Sequence, residues 1–96
     1  MIKHIVCIKL KDSSIESKNK IKDILMSMVG RVEEIKAIEV GVDFLNSERS
    51  YDVILQVLLE SKEALEKYQN NEYHCNVVKK YIAEVKTASI AVDYEI

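Results

Sequence analysis

The chain has 96 residues, 14 Lys and Arg against 16 Asp and Glu for a formal charge of −2, and 48% hydrophobic residues. That length accommodates a single domain over residues 1–96, with a modest core whose leftover apolar surface invites a partner. The slightly acidic balance argues against an electrostatic nucleic-acid binder, and composition alone assigns no function.

With no proline and two glycines, element boundaries are read from periodicity and caps. Ile2, His4, Val6, Ile8 and Leu10 alternate with Lys3, Ile5, Cys7 and Lys9, which predicts a first strand. Its charges interrupt any signal-peptide stretch, and no run approaches the roughly 20 apolar residues of a membrane span, so a cytoplasmic protein without membrane contact is expected. Ser13 with Glu16 has the form of a capping box. The apolar stripe Ile21, Ile24, Leu25, Met28 and Val29 then predicts a helix from about Ser14 to Val29, stopped at Gly30. Ile35 to Val42 reads as a second strand with Ile38, Val40 and Val42 on one face. Past the polar loop Asn46–Ser50, Tyr51 to Leu59 is a third strand with large odd-numbered residues, forming a hairpin with the second. Ser61 caps a second helix bearing Ala64, Leu65 and Tyr68, bent at Asn70-Asn71 before Val77, Val78, Tyr81 and Ile82 resume the pattern. Thr87 to Tyr94 alternates once more as a fourth strand.

The order βαββαβ with two right-handed crossovers gives an α+β, ferredoxin-like domain, a four-stranded antiparallel sheet with helices on one face. The other face is expected to carry Ile5, Cys7, Ile54, Leu58 and Ala91 among Lys3, Lys9, Asp52, Gln56 and Asp93, too apolar for a solvated surface. Face-to-face pairing of two sheets as a homodimer is the expectation. The alternative is scattered surface hydrophobes. Cys7 and Cys75 lack metal or redox spacing and read as reduced, buried apolar residues.

These residues resemble the stress-responsive α/β-barrel domain (Dabb) family along nearly the whole chain. Lys3-His4-Ile5-Val6 opens the first strand, Gly41 precedes a polar loop, Tyr51-Asp52 starts the third strand and Glu60-Ser61 the second helix. Tyr68 is followed by His74 six residues later, and Asp93-Tyr94 closes the last strand. The family pattern has His-Pro between that Tyr and His, where this chain has Asn71 and Glu72. The resemblance implies a dimeric α+β barrel. Most members have no assigned reaction, but plant polyketide cyclases are similar at His4, Tyr68 and His74. There the matching His is a base and the matching Tyr orients substrate in an aldol closure.

Imidazole can take an α-proton near neutrality, and a phenol can hydrogen-bond the resulting enolate oxygen. On a regular helix Tyr68 and His74 would lie about 120° apart, so they converge only if the chain bends at Asn70-Asn71. His4, Tyr68 and His74 are therefore the candidate ligand-binding residues in a pocket between sheet and helices, with Tyr68 and His74 as candidate catalytic residues. Each has a plain alternative as a packed core residue. Two function classes stay open: a homodimer that binds a small molecule, and a cofactor-free cyclase or lyase with His74 as base. No cofactor and no metal are expected, since His74-Cys75 are adjacent and His4 is the only other imidazole. The third strand lacks the aromatics of an RNA-recognition sheet, and no glycine-rich phosphate cradle occurs. Without Trp, nothing singles out a haem-degrading or quinol-oxidising monooxygenase. Lys18–Lys22 and Lys79-Lys80 read as solvated helix faces.

Overall fold

A computed structural model describes residues 1–96. The elements are β1 (Ile2–Leu10), α1 (Ile15–Met26), β2 (Ala37–Val42), β3 (Val53–Leu59), α2 (Lys62–Asn70), a π-helical segment (His74–Lys79), α3 (Lys80–Val85) and β4 (Lys86–Glu95). All pairings are antiparallel in the order β2-β3-β1-β4, the ferredoxin-like arrangement expected from the βαββαβ order.

Local chemistry sets the boundaries. The cap of α1 is Ser14 rather than Ser13: its hydroxyl accepts from the Ser17 N–H at 3.2 Å, while Asp12 accepts from the Ser14 N–H. After α1 the chain turns through Gly30 at φ +82°, a left-handed conformation that glycine adopts without steric cost. Ser61 caps α2 as expected, accepting from the Ala64 N–H at 3.1 Å. Asn71 is extended (φ −60°, ψ 134°) and breaks the helix at the predicted bend. The backbone then restarts with π-helical winding, a feature periodicity did not anticipate.

The core lies between the sheet and the helices. Even-numbered β1 residues and Val53, Leu55, Val57 and Leu59 of β3 meet Ile21, Leu25, Tyr68 and Val78. Each fully buried aliphatic side chain contributes about 1.5–3 kcal/mol. Gly41 lies opposite Ile54, whose Cγ2 would sit 2.9 Å from any Cβ added there, so a side chain at 41 would force Ile54 to move.

Three face assignments need correction. The register pairs Val6 with Ala91 and His4 with Asp93, so Ala91 and Asp93 lie on the helix side of β4. The more apolar set Ile90, Val92 and Tyr94 faces outward beside Ile5 and Cys7. Alternation separates the two faces of a strand but does not say which one points inward; pairing does that. Asp52 does not face outward either. It precedes β3 and is buried, its Oδ2 accepting from the Leu10 N–H at 2.7 Å. Finally, Lys18 is not on a solvated face. It precedes Ile21 by three and Leu25 by seven, on the same stripe, and is 2% exposed. Its Nζ donates to the Asp43 carbonyl at 3.1 Å and to Asn46 Oδ1, and lies 3.7 Å from Asp52 Oδ1.

Candidate functional site

Four side chains from three elements converge between β1, β4 and the broken second helix. His4 is inward on β1 and nearly buried, and its Nδ1–H donates to Asp93 Oδ1 on the neighbouring strand. Tyr68, two residues before the end of α2, is fully buried and meets the His4 ring edge-on at a centroid separation of 5.4 Å. The break at Asn71 then returns His74 onto Tyr68, with ring centroids 4.6 Å apart. Asn71 fixes this return, its Oδ1 accepting from the His74 N–H at 3.0 Å.

The three rings border a cavity of about 580 Å³, partly open to solvent. Its walls include Val6, Ile8, Leu55, Val78 and Ile82, and small Ser89 and Ala91 on β4 leave its space unfilled. The structure thus brings His4, Tyr68 and His74 together. It adds Asp93, which reading the strand faces from alternation had turned outward. A signal for it was present: when the first and last strands pair end to end, the fourth residue from each terminus meets the other, and Ile96 N–H indeed bonds the Met1 carbonyl at 3.0 Å.

The electrostatics differ from ring to ring. Burial, reinforced by the nearby Asp93 charge, pushes the Tyr68 phenol well above its ordinary value, so it acts as a hydrogen-bond donor and not a base. Its hydroxyl is buried with no hydrogen-bond partner. Such an orphan costs about 1–3 kcal/mol unless something else satisfies it. Burial holds the His74 imidazole below its ordinary value; the Gln69 carbonyl opposes this, and Lys79 and His4 add to it. His74 is therefore neutral near pH 7, with Nδ1–H directed at the Gln69 carbonyl (3.4 Å) and Nε2 left as the lone-pair nitrogen. Cys75 donates its thiol to the same carbonyl at 3.1 Å, and both cysteines are free and half-buried. No three His, Cys, Asp or Glu side chains group as a metal site would require. No helix is long and apolar enough to cross a membrane.

A sequence profile for the stress-responsive A/B barrel domain, Dabb, matches residues 2–96. The chain belongs to the Dabb family. No curated protein sequence matches it. Among solved structures, a dimeric ferredoxin-like protein of unknown function from Bacteroides fragilis is 26% identical, with TM-score 0.80 over 99% of this chain and 95% of that one. An Arabidopsis thaliana protein is 24% identical, with TM-score 0.85 over 100% of this chain and 95% of the other. The hydroxynitrile lyase of Passiflora edulis is 13% identical, with TM-score 0.82 over 99% and 92%. At the last two identities the likeness is one of fold. The Dabb resemblance read along nearly the whole chain is borne out.

Proposed function

We propose that this Dabb chain is a cytoplasmic homodimer that binds a small molecule in the cavity bordered by His4, Tyr68 and His74. The observation that carries the reading is the Tyr68 hydroxyl, buried without a partner on a residue that borders a cavity large enough for an organic ligand. A ligand carbonyl oxygen accepting from that hydroxyl removes the penalty. A thermal-shift screen rich in aromatic and polyketide-like carbonyl compounds tests this, because a ligand of the folded state alone raises the melting temperature. The expected result is a shift that His74→Ala abolishes; no hit from a broad library contradicts the reading.

Dimerisation rests on the outer sheet face. Ile5, Cys7, Ile54 and Leu58 are half-buried there, and Ile90, Val92 and Tyr94 are 53%, 58% and 42% exposed beside them. That is a contiguous apolar surface of the kind that marks a protein interface. The Bacteroides fragilis relative, itself dimeric, supports the same reading. Light scattering of wild type beside Ile54→Asp checks it: a dimeric wild type and a monomeric variant are expected, and a monomeric wild type contradicts it.

Neutral His74 beside a donor phenol also favours a second reading, proton transfer without a cofactor. His74 Nε2 takes a proton from the carbon α to a carbonyl, and Tyr68 hydrogen-bonds the enolate oxygen. The enolate carbon attacks a second carbonyl of the same molecule, and the imidazolium returns its proton to the new alkoxide. Turnover of a cyclisable polyketone that is lost in His74→Ala, in a protein that still folds, is the expected result.

A further inference from the structure

We infer that the occupant of the cavity carries a carboxylate, held at the cavity mouth by Lys79 and Lys86. This rests on the ligand-binding reading above and names the chemical class of the ligand.

Lys79 and Lys86 are the two charged residues among those that line the cavity, and no acidic side chain lines it. Neither lysine lies within ion-pair distance of a carboxylate; the pairs in the structure use His4, Lys18, Lys36 and Lys62. Lys79 reaches this place through the winding of its segment. A π-helix bonds i to i+5, so Lys79 stands one turn beyond His74 on the same side, and its charge is felt by that imidazole. Lys86 arrives from the other wall. The register shift between Lys9 and Leu10 pairs it with Leu10, an inward residue, and its Nζ donates to Ser89 Oγ at 3.3 Å.

The opposite end of β4 carries the opposite charge. Asp93 holds His4 there, four residues beyond Ser89, or about 13 Å along the strand. Charge around the cavity is thus asymmetric, with a carboxylate bonded to His4 and two lysines among the lining residues, in a chain whose formal charge is −2. A ligand anion is repelled from the Asp93 end and attracted to the lysine end. Apolar Val6, Ile8, Leu55 and Val78 between the ends receive a hydrocarbon body, and the Tyr68 hydroxyl receives an uncharged oxygen. No glycine in the lining brings backbone amides forward into a phosphate cradle, which leaves the two ammonium groups to meet a carboxylate.

The probe that matches this layout is 9-oxodecanoate, a ketone and a carboxylate at the two ends of one chain, compared with the neutral 9-oxodecanamide. Titrations of the full chain followed by NMR or calorimetry are expected to show the acid binding about tenfold tighter than the amide, a preference that shrinks with salt. In the Lys79→Gln/Lys86→Gln double variant the two compounds should bind alike. Equal binding of acid and amide to wild type, both weakened by His74→Ala, overturns the carboxylate assignment and leaves the cavity reading intact. A preference for the acid that survives the double variant also overturns the assignment. Binding of neither compound at millimolar concentration overturns the cavity reading and the assignment together.

Discussion

Two regions of the molecule bury polar side chains, and they treat them differently. At one corner Lys18 and Asp52 lie inside the protein with partners: the ammonium meets a carbonyl, an amide oxygen and a carboxylate, and the carboxylate also receives the Leu10 N–H. At the other, Tyr68 is buried as deeply and its hydroxyl meets nothing. Satisfied polar groups staple a loop to α1 and β1; the unsatisfied one belongs to a residue that borders the cavity. Burial of polarity alone does not mark a site. What distinguishes the proposed site is a buried donor with no partner within the chain.

The largest expected difference lies at the satisfied corner. Lys18→Ala leaves Asp52 buried without its cation and frees the loop, at a cost of about 3–5 kcal/mol in urea denaturation at fixed protein concentration. A loss below about 1 kcal/mol would erase the contrast between the two regions. Next comes Asp93→Asn, which removes the carboxylate from His4 while keeping its shape. Because the Asp93 side chain is 37% exposed, the loss expected is only about 1 kcal/mol, measured the same way.

Smaller still is a pH effect at His74. Its imidazole is held below the ordinary value of 6.5, so as pH falls the unfolded chain takes this proton first. The stability contributed by neutral His74 is complete above that value and is lost as pH falls through the lower folded-state value. His74→Gln is expected to be less sensitive than wild type to acidification from neutrality, by thermal denaturation. Identical pH dependence would mean that His74 is solvated.

Much of this was legible in the sequence. Period-two runs marked four strands, Ser61 marked a helix start, and Asn70-Asn71 marked the break that folds His74 back onto Tyr68. Part of what was missed came from relations between elements. The outward turn of Ile90 and Val92 is fixed by pairing with β1, which alternation within β4 does not contain. Asp93 became part of the site only through that register. Lys18 was hidden by its charged neighbours, although its spacing to Ile21 and Leu25 already placed it on the buried stripe. The π-helical winding that brings Lys79 over the cavity has no sequence signal in a run such as His74-Cys75-Asn76-Val77-Val78.

The most direct test of the contrast between the two corners is the unfolding free energy of Tyr68→Phe, measured without ligand at the protein concentration used for wild type. Because the hydroxyl it removes is buried and unpaired, the variant should be as stable as wild type or more stable by up to about 1 kcal/mol. A loss of more than about 1 kcal/mol would show that the hydroxyl has a partner within the protein, and the cavity would then be no more a ligand site than the Lys18 corner.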